Sequence, residues 1–254
     1  MDLEAVTAYE KVPAAAALPE DAVEVFRRVV EARRSIRKFD GARLPEETVR
    51  ECLRLAMLAP NSSNLQAWEF YWVRTPEVKA AVAEACMGQQ AARTAGELIA
   101  IVGRTRTWRR HAREVLEQWP GGKPPRIVRT YYEKLAPLMY TQGLIGEIGL
   151  LKRLVFAVVG LFRPMPREPM SLSDMRVWAV KTTALAAENL ILAFQAHGYD
   201  TCAMEGFDGA RVRKLLRIPR DGQILMVLAV GRAVPGGIYS EQFRFSPERF
   251  VIER

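Results

Sequence analysis

"APNSSNLQAWEFYWVR", residues 59–74, changes character halfway along, and that change organises the reading of the whole chain. Its first part packs three amides (Asn61, Asn64, Gln66) and two hydroxyls (Ser62, Ser63) into six positions. A solvated turn needs only one or two such residues, so this loop collects more neutral hydrogen-bonding groups than turning requires. "EFYWVR" (69–74) then reads as a strand. Upstream, a helix begins at Pro45 with Glu46 and Glu47 in its first turn and must stop near Pro60. An earlier helix over 20–33 is opened by Glu20 and Asp21 and closed by Arg33 and Arg34, with Val23, Phe26 and Val30 as a face. Downstream, a helix "PEVKAAVAEACMGQQAA" (76–92) leads into "ELIAIVG" (97–103), a strand apolar enough to be central. A long helix over 174–197 carries Val177, Val180, Ala184, Ala187, Ile191 and Phe194 at helical spacing. Leu185 and Leu192 extend its apolar surface to a second side, and Gly198 ends it. Strand "YDTCAM", a short helix after Asp208 and strand "QILMVLAVG" (223–231) follow. Helices outnumber strands and do not alternate with them as βαβ units, so the expected fold class is α+β.

Bulk properties narrow the function. The chain has 254 residues, 49% of them hydrophobic, enough for a sizeable core. A formal net charge of +8 favours anionic partners: a phosphate-bearing cofactor, nucleic acid or a membrane surface. Two histidines, His111 and His197, leave little for a zinc site or a His-based triad. Cys52, Cys86 and Cys202 are far apart and form no metal-spaced cluster, which implies a reducing compartment. The N-terminal "MDLEAVTAYEKVP" has no signal-peptide core, and "LVFAVVGLF" (154–162) is far shorter than the roughly 20 residues of a spanning helix. A cytoplasmic protein without stable membrane insertion is expected.

Next to the phosphate question stands "ARRSIRKF" (32–39), where Arg33, Arg34, Ser35 and Arg37 gather at a predicted helix end. Arginine forks grip phosphate in bidentate fashion and a hydroxyl adds a donor, although such a cluster could equally be a solvated basic helix end. Neither a Walker loop nor a strand-following GxGxxG occurs, so a phosphate would be held mainly by side chains. Amides and hydroxyls suit the polar edge and ribityl chain of a flavin, and arginines suit its phosphate and its anionic reduced ring.

"RRSIRKF", "APNSSNLQAW" and "CAMEGFD" (202–208), in this order and spacing, resemble the nitroreductase family of FMN-dependent, NAD(P)H-using oxidoreductases. The long helix before "HGYDTCAMEGF" and the closing "ILMVLAVG" are similar too, so the likeness covers roughly 22–103 and 174–254. It implies one nitroreductase-like domain over 1–254, with a central, mostly antiparallel sheet flanked by helices. A helical insertion over 104–173 and an extended, dimer-embracing arm over 232–254 would complete it. The resemblance further implies FMN shared across a homodimer. Arg33, Arg34 and Ser35 would face the phosphate, and Arg37 the pyrimidine edge. Pro60, Asn61, Ser62, Ser63 and Asn64 would come from the loop of the other subunit. Gln90 matches a flavin-contacting amide, while Glu205 and Gly206 would lie at flavin N5 with the Gly206 backbone N–H as donor. Arg244 resembles a C-terminal phosphate arginine, but Gln242 stands where its basic companion is usual, and Ala67 where many members have proline. The reductant would be NADPH or NADH and the acceptor a nitroarene or quinone, with no catalytic side chain and no metal.

Other readings attach to particular residues. Trp68 is expected in the core rather than on a flavin, Cys202 buried in its strand, and His197 at a helix end. "RTRTWRRHAR" (104–113) could contact nucleic acid, but a solvated amphipathic face or a phosphate platform suits it better because no nucleic-acid module accompanies it. A basic, non-catalytic binding protein is thus the alternative from another class. A dehalogenating or flavin-modifying member is the alternative within the fold, disfavoured because residues 75–96 leave no room for a lid. The segment 104–173, with Trp108, Trp119, Tyr131, Tyr132 and Tyr140, is too apolar for a disordered linker. A helical lid over the flavin is expected there, against the alternative of a dimer-packing or membrane-surface patch.

Overall fold

The computed structural model describes residues 17–254, so the reading of "MDLEAVTAYEKVP" lies outside the described residues. In chain order the elements begin with α1 (Ala22–Ala32), α2 (Glu46–Ala56), β1 (Trp68–Val73), α3 (Pro76–Ala85), α4 (Gln90–Thr94) and β2 (Glu97–Arg104). The segment after β2 forms α5 (Trp108–Glu117), α6 (Arg126–Thr130), a π-helical turn (Tyr131–Leu135), α7 (Ala136–Tyr140) and α8 (Glu147–Val159). The core resumes with α9 (Leu172–Ala196), β3 (Asp200–Met204), α10 (Gly209–Leu215) and β4 (Gly222–Gly231).

The four strands form one antiparallel sheet in the order β1-β2-β4-β3. β2 is central, as its unbroken apolar run requires, because both of its faces are covered. Leu98, Ala100 and Val102 enter one core with Val82, Ala85 and Val212 of α3 and α10. Ile99 and Ile101, on the opposite face, join Val49 and Cys52 of α2 and Leu190 and Phe194 of α9. Ser35 pairs in parallel with Thr201, so the arginine-rich segment lies along the β3 edge. The start of β2 is anchored by Glu97, fully buried, which accepts from Arg43 Nε at 2.6 Å and Trp72 Nε1 at 2.7 Å.

Two predicted helices differ in detail. The stretch 76–92 is two helices, because Met87 and Gly88 take left-handed φ values of 57° and 59° and turn the chain between them. The long helix starts earlier than predicted, where the Ser171 hydroxyl caps Asp174 N at 3.0 Å. Its inward stripe is Met175, Trp178, Ala179, Thr182, Ala186, Leu190 and Phe194. Val177 and Val180, predicted on the same face as Ala187 and Ile191, point outward at 50% and 38% exposure. The packing is closest at Gly103 of β2, where a Cβ would sit 2.9 Å from the Ala179 carbonyl oxygen, so α9 meets the sheet there on its Ala179 side. By length and composition α9 could cross a membrane, but 56% of its apolar window is buried here. Its place over the sheet accounts for that composition.

Candidate functional site

The structure sorts the predicted site residues into two groups at opposite edges of the sheet. The first lies along β3. Beyond the C-terminus of α1 the chain runs extended, with Ile36 N donating to Thr201 O at 2.9 Å. The residues after β4 fold back beside it: Phe39 pairs with Ala233, and Arg37 N donates to Gly237 O at 2.8 Å. Arg33, Arg34, Ser35 and Arg37 therefore meet Arg244 around one open cavity of about 320 Å³. Arg34 Nη2 donates to Ser240 O at 2.6 Å, and the Arg37 guanidinium stacks on Tyr239, 4.6 Å from the ring centroid. Gln242 also lines this cavity, as does Glu241, its one carboxylate.

Glu205 and Gly206 follow β3 and are exposed. The Gly206 carbonyl accepts from the Gln89 side-chain amide at 2.7 Å. The amide that meets the Gly206 carbonyl is that of Gln89, while Gln90 begins α4 and is exposed. The turn at Met87 and Gly88 rotates Gln89 towards Gly206, and Gly88 was the available sequence signal. The Gly206 N–H has no partner among the described residues. Cys202, buried in β3 as expected, has its thiol pushed up by burial, with the nearby Arg37 charge opposing.

The second group precedes β1. Residues 60–66 form a strained loop around a single 3₁₀ turn, Ser62–Asn64, with positive φ at Ser63, Asn64 and Gln66. Asn61 holds it together, its Oδ1 accepting from Gln66 N at 2.9 Å. Here the hydroxyls have an unforeseen use. Ser62 and Ser63 Oγ lie 3.0 and 2.9 Å from the Tyr140 hydroxyl, Ser63 Oγ lies 2.5 Å from that of Tyr131, and Tyr132 donates to Ser63 O at 2.8 Å. Tyrosines of the segment after β2 brace the loop, and burial raises the Tyr132 hydroxyl pKa. Pro60, Ser62, Asn64 and Gln66 remain exposed. Sequence reasoning missed these tyrosines as loop partners, since nothing local links positions about 70 residues apart. Trp68 is buried in the core, as expected.

Among the described residues, no group of His, Cys, Asp and Glu could hold a metal ion. Trp108, the aromatic of "RTRTWRRHAR", is buried with Ala112 on the inner side of α5, so it is closed to a stacking base. His197 ends α9.

Known proteins fit this arrangement. DrgA of Synechocystis is 28% identical over 201 residues, covering 79% of this chain and 80% of its own. The 4-nitrobenzoate reductase of Nocardioides is 28% identical over 232 residues, covering 85% and 82%. In fold, a nitroreductase family protein from Streptococcus pneumoniae superposes with a TM-score of 0.68 at 21% identity, covering 90% of this chain and 100% of its own. A protein of Exiguobacterium sibiricum assigned as a nitroreductase, solved in complex with FMN, gives 0.66 at 24% identity over 95% and 100%. The model of the nitroreductase family matches residues 30–232. That match runs from the arginine-rich edge through the 60–66 loop and Gly206 to the end of β4, with Arg244 beyond it, and the chain belongs to the nitroreductase family.

Proposed function

We propose that this protein is an FMN-dependent oxidoreductase that takes hydride from NADPH or NADH. It passes the hydride to a small aromatic acceptor, a nitroarene or quinone, in ping-pong half-reactions within one pocket. The observation that carries this reading is the convergence of Arg33, Arg34, Ser35, Arg37 and Arg244 on one cavity. Four guanidiniums and a hydroxyl against a single carboxylate fit a dianionic phosphate. Bound FMN supplies the hydride chemistry. The chain's own part is to hold and orient. Arg33, Arg34, Ser35 and Arg244 bind phosphate, and Arg37 favours negative charge at the pyrimidine edge. The unpartnered N–H of Gly206 is a donor for the reacting end of the ring, and Gln89 holds the Gly206 carbonyl on the other side of that residue.

The reading includes a homodimer, because Pro60, Asn61, Ser62, Ser63 and Asn64 lie at the far sheet edge from this cavity and would serve the partner's flavin. It also includes a lid role for 104–173, whose tyrosines brace that loop, and an arm role for 232–254. Nucleic acid is not a partner in this reading, and neither NADH nor NADPH is preferred by any residue. The dehalogenating alternative is disfavoured because α3 and α4 place Val82, Ala85, Ala91 and Ala92 in the core, leaving no excursion between β1 and β2. The test is the flavin content of purified protein, then NADPH and NADH oxidation against nitroarenes and quinones. Protein that stays colourless after mixing with FMN would sink the proposal.

A further inference from the structure

A cleft of about 740 Å³ opens where the chain after β2, the loop before α8 and the start of α9 meet the loop before β4. Its size suits a small-molecule site, about 300–1,000 Å³. Four arginines line it: Arg106, Arg109, Arg176 and Arg220. The carboxylates that share it are committed elsewhere. Asp221 accepts from Arg104 Nε and Nη2 at 3.0 and 2.9 Å and from Arg106 N at 3.2 Å. Glu147 accepts from the amides of Leu144 and Ile145 at 3.2 and 3.0 Å. Arg109 reaches only the Thr141 hydroxyl, at 3.0 Å, and the Trp108 ring. The side chains of Arg106, Arg176 and Arg220 have no hydrogen-bond or ion-pair partner among the described residues.

Four like charges around one concavity repel one another unless a counter-charge enters. The floor between them is apolar: Trp108, Tyr140 and Met175 are buried there, and Ile148 and Leu172 stand half-exposed at the rim. Because the Trp108 ring packs on Tyr140 at 5.8 Å, and Tyr140 on Trp178 at 4.9 Å, the floor suits a small apolar body rather than stacked bases. We infer that this cleft binds a small organic anion with an apolar body and a carboxylate or phosphate end. Tyr140 lines the cleft while its hydroxyl meets Ser62 and Ser63, so the cleft shares a wall with the loop assigned to the flavin. Resting on the FMN reading, the ligand is an acceptor substrate carrying a carboxylate; the other source of the same chemistry is the phosphates of the nicotinamide nucleotide.

The experiment compares the flavin-loaded protein with the double variant Arg176→Glu/Arg220→Glu by calorimetric titration of 4-nitrobenzoate, nitrobenzene and the oxidised nucleotides NADP+ and NAD+, none of which reduces the flavin. The expected result is that 4-nitrobenzoate binds at least tenfold more weakly to the variant while nitrobenzene and the melting temperature are unchanged. If NADP+ and not 4-nitrobenzoate suffers that loss, the cleft is upheld with the nucleotide as its anion. Equal affinities of both proteins for every anion, or no anion binding by the wild type, would overturn it. The readout is binding, so this failure leaves the FMN reading standing. Protein that rejects FMN yet binds 4-nitrobenzoate through these arginines would sink only the FMN reading.

Discussion

At the scale of single residues, Arg37 has the most distinctive position in the proposed flavin site. It is half-buried, its backbone is fixed to Gly237, and its guanidinium is held over Tyr239 rather than free in water. A charge-assisted hydrogen bond contributes about 1.5–3 kcal/mol, which corresponds to roughly a 10- to 100-fold change in affinity. Arg37→Ala is therefore expected to weaken FMN binding by that factor in fluorescence titration, with the melting temperature of the apo protein barely changed. An unaltered affinity would remove Arg37 from the site. Such residues were legible in the sequence because arginines, a serine and a Glu-Gly pair carry their chemistry in their type. Gln89 was not legible. Its contact with the Gly206 carbonyl depends on the left-handed turn at Met87 and Gly88, which no local pattern in the amides reveals.

Among the elements, the strands were legible and the helix faces only partly so. β2 and β4 are uninterrupted apolar runs because both faces of the sheet are covered, and such runs survive translation from sequence to structure. α9 was harder to read, since it is apolar on two sides and the side that meets the sheet is set by tertiary packing, including the close approach at Gly103. The ion pairs that staple strand ends also escape sequence patterns. Arg104, at the end of β2, bridges Asp221 before β4 and Glu69 in β1. Burial raises the Asp221 carboxyl, but Arg104 outweighs burial and holds it below the ordinary carboxylate value. A carboxylate depressed in the folded state adds stability that is present above its unfolded pKa, about 3.9, and is lost as pH falls through the lower folded value. Asp221→Asn should therefore be less stable than wild type near neutrality, and the gap should shrink below about pH 4. Urea unfolding between neutral and acidic pH measures this. A gap that stays constant would mean the Arg104 pair does not set the Asp221 titration.

For the molecule as a whole, the question is how two half-sites at opposite edges of one sheet become a single pocket. β1 and β3 are three strand spacings apart, roughly 14 Å, with β2 and β4 between them, so the 60–64 loop and Arg33 and Ser35 of one chain lie at opposite sheet edges. In the proposed homodimer a second copy supplies the missing half, and exposed apolar surface offers it a docking face. Among the described residues α1 is left without a buried side chain, with Val23 and Phe26 at 80% and 62% exposure. Isolated helices shorter than about 12–15 residues are marginal in water, so this 11-residue helix needs a partner beyond its contact with α9. The outward side of α9 adds Val177, Val180 and Leu185, and the C-terminal segment adds Phe243, Phe245 and Phe250, all exposed. An apolar helix side, an unburied helix and an aromatic tail form the kind of surface a symmetric homodimer covers. Carboxylates placed on that surface would have to be buried unpaired. Val180→Asp/Leu185→Asp is thus expected to yield a monomer in sedimentation equilibrium that has also lost its FMN, because in the proposed homodimer each flavin site is built from two chains. A wild-type monomer that holds FMN, or a double variant that remains a flavin-bearing dimer, would show that each chain builds its site without this interface.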